Sequence, residues 1–210
     1  MNKTNLQNLF KGFCKQNKLE INSQQIEIID LLDEFLSQKK NFLSKFFKRK
    51  KKLCFYLYGK VGVGKTMLLN FVFERLKIRK HRQHFNEFMI NFHNFRHEKK
   101  DNNTITAFVK ELKKRYDLIY LDEFQVTNIV DAMILGKLFE VIFEEKIKII
   151  ITTNTQLHEL YKDGLQRDQF LPFISVIENF SIQKELQIKD DYRTKNNEKH
   201  QQIFFPLNEK

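Results

Sequence analysis

An α/β fold with a parallel sheet flanked by helices is what this chain predicts, and three observations carry it. Half of its six glycines fall in Gly59-Lys60-Val61-Gly62-Val63-Gly64-Lys65-Thr66, an octet that fits the phosphate-binding pattern G-x-x-x-x-G-K-[ST]. Three short apolar runs, at 53–58, 117–123 and 148–154, have the length and the β-branched or aromatic content of buried strands. Longer stretches with apolar residues at helical spacing lie between them. Strands alternating with helices make a parallel sheet, with the site at the strands' carboxyl ends.

In chain order, Ile26, Ile29, Leu32 and Leu36 recur at helical spacing behind Asn22 or Ser23, either of which can cap a helix leading into the core. Leu53-Cys54-Phe55-Tyr56-Leu57-Tyr58 is the first strand and the octet a loop; Met67, Leu68, Leu69, Val72, Phe73 and Leu76 form the stripe of the next helix. A mixed or edge strand is expected near 83–88, a helix near 89–97, a polar break at 99–103 and a helix near 105–115. Asp117-Leu118-Ile119-Tyr120-Leu121-Asp122-Glu123 reads as a buried strand ending in acids. Residues 129–145 read as a long amphipathic helix, and Lys148-Ile149-Ile150-Ile151-Thr152-Thr153-Asn154 as a strand ending in polar residues. The chain divides into a helical basic N-terminal segment, 1–52, and a nucleotide-binding core, 53–210.

With 210 residues and 41% hydrophobic content the chain can bury a sizeable core. Cys14 and Cys54 match no metal or redox spacing, which is the cysteine usage of a reducing compartment. No apolar stretch approaches the length of a membrane span, and the N-terminus lacks the apolar region of a secretion signal. The expectation is a cytoplasmic protein. Lys3, Lys11, Lys15 and Lys18, with no acid before Glu20, keep the mitochondrial matrix as an alternative, although a transit peptide is ordinarily rich in Arg and Ser and this segment has neither.

The net charge of +11 is unevenly placed, since residues 1–58 carry 12 Lys and Arg against 5 Asp and Glu. Lys39, Lys40, Lys45, Lys48, Arg49, Lys50, Lys51 and Lys52 lie together, interrupted by Phe42, Leu43, Phe46 and Phe47. Such a run attracts nucleic-acid phosphates or an anionic membrane surface. The preferred reading is a solvated, Lys-biased helix face whose phenylalanines pack on the domain. His93 and His97 have metal-compatible i, i+4 spacing, but no third ligand completes a set as in H-E-x-x-H, so they read as surface or core histidines.

Strand, glycine loop and helix in that order point backbone N–H groups and a helix N-terminus at an anion. The ligand expected is a nucleoside triphosphate with Mg²⁺. Lys65 would neutralise β- and γ-phosphate oxygens, while Asp122 and Thr66 would hold Mg²⁺, the carboxylate through water. Glu123 would accept a proton from the attacking water. An acid pair at that strand end points to hydrolysis rather than to a signalling switch or a small-molecule kinase.

Asp122-Glu123-Phe124-Gln125-Val126-Thr127 and Asp131-Ala132-Met133-Ile134-Leu135-Gly136 resemble the signature of the ZapE-type ATPases, bacterial cell-division proteins with mitochondrial relatives in the AAA+ class of P-loop NTPases. Further matches are His84-Phe85, Phe88-Met89, His93, Leu160-Tyr161, Gly164-Leu165-Gln166-Arg167, Phe170-Leu171-Pro172-Phe173-Ile174 and Asp191-Tyr192-Arg193, so the resemblance runs from about 53 to 207. It implies that Asn154 is the polar sensor that orients the attacking water or reads the γ-phosphate. Arg167 resembles the arginine finger placed in a neighbouring subunit's site, its fixed charge suited to a developing phosphate charge; the alternative is an ion pair with Asp163 or Asp168 in its own chain. The resemblance also implies a homo-oligomer in the ATP state and a protein partner such as the cell-division protein FtsZ.

The departures are Lys60 where the family often has glycine, Asn86 for a frequent histidine, and Thr153 for a frequent serine. The chain reaches Lys210 soon after Phe205-Pro206-Leu207, where relatives continue, so the helical lid of AAA+ proteins is expected to be missing. The leading expectation is an Mg²⁺-dependent ATPase that remodels a protein partner. The alternatives are a nucleic-acid-binding adaptor of the helicase-loader type and an inactive protein that keeps ATP as a structural ligand.

Overall fold

The structure is a computed structural model and describes residues 3–37, 52–99 and 103–187. The basic run at 39–51, the first two residues and everything after 187, including Arg193, lie outside the described residues.

The three apolar runs are strands, as their composition predicts: β1 (Cys54–Tyr58), β3 (Leu118–Asp122) and β4 (Lys148–Thr153). Two polar strands, β2 (Lys80–His84) and β5 (Ser181–Glu185), close the edges. The order is β2-β3-β4-β1-β5, and every neighbouring pair is parallel. In register, Tyr58 lies opposite Thr153 and His84 opposite Asp122, so the carboxyl ends of β1, β2, β3 and β4 finish side by side.

Period-two alternation gives the sheet two apolar faces. Phe55, Leu57, Leu118, Tyr120 and Ile150 point to one, where they meet α1 (Lys3–Gln16), α2 (Ser23–Ser37) and α3 (Lys65–Glu74). Cys54, Tyr56, Ile119, Leu121, Ile149 and Ile151 point to the other, covered by α4 (Phe85–Glu98), α5 (Thr104–Arg115), α6 (Ile129–Glu144) and α7 (Leu171–Phe180). Both cysteines are free and buried, and burial pushes both thiols up.

Several boundaries differ from the sequence reading. The expected strand near 83–88 lies earlier, at Lys80–His84, and α4 already begins at Phe85, where the Glu87 carboxylate accepts from the His84 N–H at 3.3 Å. The N-terminal segment is helical as expected, but α1 has a position the sequence reading did not give, although Leu6, Phe10, Phe13 and Cys14 carry the i, i+4, i+7, i+8 pattern that buries it. Helix α7 and strand β5 were not expected either; Ser-Ile-Gln-Lys-Glu has no apolar run and becomes a strand only by pairing with β1. At α2, Asn22 Oδ1 accepts from the Gln24 N–H at 2.8 Å, as a capping residue does.

Candidate functional site

The octet folds as a loop between β1 and α3 because its glycines meet two local demands. Gly59 passes so close to the backbone after β5 that a Cβ would lie 2.3 Å from the Leu186 carbonyl oxygen. Gly64, at φ +88, turns the chain in the left-handed region directly into α3. Lys65 and Thr66 then open α3, so the positive end of the helix dipole faces the loop.

Lys65 is 8% exposed, and its ammonium donates to the Gly59 carbonyl at 2.6 Å, the Lys60 carbonyl at 2.8 Å and Asn154 Oδ1 at 2.9 Å. Burial lowers its pKa from the ordinary value, which Asp122 partly counters. Asp122 ends β3 at 3% exposure. Its Oδ1 accepts from the Thr152 hydroxyl, from the Glu123 N–H at 3.1 Å and, at 3.5 Å, from the Thr66 hydroxyl. Its Oδ2 pairs with Arg82 on β2 at 2.5 Å. Burial alone would raise this carboxyl; the hydrogen bonds from Thr152 and Arg82 outweigh it and hold the pKa below the usual carboxylate range.

Glu123 leaves β3 at φ +53, a left-handed conformation that costs a residue with a Cβ on the order of 1–3 kcal/mol. Its N–H lies 3.3 Å from the Thr152 hydroxyl, and the next N–H, of Phe124, donates to the Thr152 carbonyl at 2.8 Å. The turn aims the Glu123 carboxylate out into solvent, with His84 Nδ1 at 3.8 Å. Strain held by neighbouring bonds beside a buried acid is the pattern of a functional position.

A cavity of about 530 Å³ joins these parts, lined by Val61, Gly62, Gly64, Lys65 and Thr66 on one side and by Asp122, Glu123 and Asn154 on the other. The oxygens of Thr66 and Asp122 are hard ligands 3.5 Å apart, a donor pair that suits Mg²⁺ with water completing its shell. Loop N–H groups, a helix N-terminus and a buried ammonium suit a polyphosphate. Of the remaining expected residues, Val63 is buried beneath the loop and Lys60 contributes its carbonyl to Lys65.

Arg167 is not among the residues lining that cavity. It opens a single 3₁₀ turn, and its guanidinium donates to the carbonyls of Leu160 at 2.9 Å and His158 at 2.6 Å. His93 pairs with Asp131 at 2.6 Å, and among the described residues no three His, Cys, Asp or Glu side chains gather as a metal group. Arg82 and Thr152 were missed by the sequence reading. Thr152 sits one residue before the polar strand end and was legible as part of it; Arg82 lies in a polar strand with no motif of its own.

The sequence model of the AFG1-like ATPase family matches residues 15–210. The chain belongs to that family. It is 38% identical over 154 residues to lactation elevated protein 1 homolog B of Danio rerio, covering 67% of this chain and 31% of that protein. It is 35% identical over 140 residues to the cell division protein ZapE of Escherichia coli K12, covering 66% and 37%. The chain thus spans about a third of the length of these relatives. The structure of AMPPCP-bound DnaA from Aquifex aeolicus superposes with a TM-score of 0.57 at 19% identity, over 87% of this chain and 52% of that one, which establishes a shared P-loop ATPase fold. The resemblance to ZapE-type ATPases and the α/β fold read from the sequence are both borne out. Among the described residues, no helix is long and apolar enough to cross a membrane.

Proposed function

We propose that this chain binds ATP with Mg²⁺ at the cavity, hydrolyses it, and uses the turnover to remodel a protein partner. One observation carries the reading: Lys65 bonds Asn154 while Thr66 meets Asp122, so loop, acidic strand end and polar strand end converge on one cavity. Lys65 holds β- and γ-phosphate oxygens once it exchanges its loop carbonyls for them. Thr66 and Asp122 hold the metal, which neutralises phosphate charge as it develops. Glu123, exposed at the cavity rim, accepts the proton of the attacking water, and Asn154 orients that water. Association of copies brings Arg167 of one to the cavity of the next, where its charge stabilises the transition state. A partner in cell division is supported by the name of the Escherichia coli relative, and a cytoplasmic setting, with the mitochondrial matrix as the alternative, by the cysteine usage and the N-terminal lysines of the sequence.

The division into a basic segment, 1–52, and a nucleotide-binding unit, 53–210, is one of charge and chemistry; in packing, α1 and α2 share the sheet's core. The deciding measurement is phosphate release against protein concentration, for wild type and Arg167→Ala. The expected result is a rate per subunit that rises with concentration and collapses in the variant. A rate independent of both would remove the shared site, and no release at all would remove hydrolysis.

A further inference from the structure

Asp122 is the acid at the centre of the site, and protein donors reach both of its oxygens. A carboxylate offers about four lone-pair positions. Oδ1 receives the Thr152 hydroxyl, the Glu123 N–H and, more distantly, the Thr66 hydroxyl. Oδ2 accepts from Arg82 at 2.5 Å. A divalent cation that approaches Oδ2 with its water shell therefore meets the Arg82 guanidinium already on that oxygen.

The donors differ in how easily they yield. Thr152 is 1% exposed, and the Glu123 N–H is fixed by the turn that follows β3. Arg82 is different in kind, because it comes from the edge strand on a long side chain that is 35% exposed, against 4% for Asp122. Its guanidinium also lies over the Tyr120 ring, 5.3 Å from the centroid, on the same face of the sheet. The head group can tilt off the carboxylate and still keep the ring and water as partners.

Charge decides which donor goes. A buried carboxylate without a counter-charge is strongly unfavourable, and Arg82 supplies one. A divalent cation supplies a larger one and repels a guanidinium on the same oxygens. We propose that Arg82 is a stand-in cation for the metal at Asp122, a positioning residue whose ion pair competes with the divalent ion and so sets how much Mg²⁺ the site requires. By linkage, Arg82 weakens the metal by the same factor that the metal loosens Arg82. The proposal rests on the reading of Asp122 as the metal-facing acid.

The test titrates Mg²⁺ against the full chain with the non-hydrolysable nucleotide AMPPCP, reading nucleotide affinity by calorimetry rather than turnover. In Arg82→Gln the Mg²⁺ concentration that gives half the gain in affinity falls about fivefold or more. Arg82→Lys, which keeps a charge on the strand, stays nearer to wild type. Melting temperatures give a second readout: Arg82→Gln loses more stability in a chelator than with Mg²⁺ and AMPPCP. Arg82→Met, which keeps the aliphatic stem against Tyr120, is read in the same way if the glutamine variant does not fold. A midpoint unchanged or raised in the uncharged variants, with wild type responding to Mg²⁺, overturns the role of Arg82 alone. A wild type whose nucleotide affinity ignores Mg²⁺ overturns the reading of Asp122 and the proposal with it.

Discussion

The two faces of the sheet are covered by helices from different parts of the chain, and they support different halves of the site. On the α4–α7 face, Phe124 stacks on Phe173 with centroids 5.5 Å apart and rings 6° from parallel, and both meet Phe139 edge-on. Phe124 follows Glu123 directly, so this aromatic block braces the turn that presents the candidate base. On the opposite face, Phe35 packs on Phe55 at 5.8 Å, and Gln25, 2% exposed at the start of α2, places its Nε2 3.7 Å from where a Cβ on Gly64 would be. The N-terminal helices therefore back the phosphate loop. The candidate phosphate loop and the candidate base are braced from opposite sides of one sheet, so the two proposed roles are separable by mutation.

Core truncation tests the comparison most severely. Phe173→Ala and Phe35→Ala each remove a fully buried ring and are each expected to cost about 3–5 kcal/mol in denaturant unfolding. A loss under about 1 kcal/mol at Phe35, in the range of a surface site, would make the N-terminal helices an appendage rather than half of the core. Next, Glu123→Gln is expected to slow phosphate release by about a hundredfold or more while nucleotide affinity holds; retained turnover would take that residue out of its role. Lys65→Ala removes charge-assisted contacts of about 1.5–3 kcal/mol, so nucleotide affinity measured by titration falls about tenfold to a hundredfold. The smallest effect is expected at Gln25→Ala, about 1 kcal/mol of stability from a lost buried polar contact. Its nucleotide affinity is expected to change more than its turnover at saturating ATP, and the reverse pattern would place α2 on the wrong half of the site.

Legibility followed the same division. Octet, acidic strand end and polar strand end all have local signals, because a phosphate loop needs glycines at fixed spacing and a buried strand needs a continuous apolar run. Their convergence follows from the alternation of strands and helices, which puts the site at the strands' carboxyl ends, and the cavity holding Lys65, Asp122 and Asn154 together agrees with it. The polar edge strands β2 and β5 were displaced or missed, since an edge strand is made by its neighbour's hydrogen bonds and Lys-His-Arg-Gln-His has no pattern of its own. Arg82 was invisible for that reason. Helix α1 was legible in Leu6, Phe10, Phe13 and Cys14, but its lysines drew the reading toward charge.

The sequence by itself determined the chemistry at each strand end and the alternation that orders the sheet, because residue type, spacing and periodicity are local quantities. Only the tertiary structure decided that Arg82 closes on Asp122, that Arg167 bonds carbonyls of its own chain outside the cavity, and that α2 reaches Gly64. Each of these joins residues 7 to 40 positions apart, where contact depends on how strands register and helices pack rather than on the neighbours a residue has along the chain.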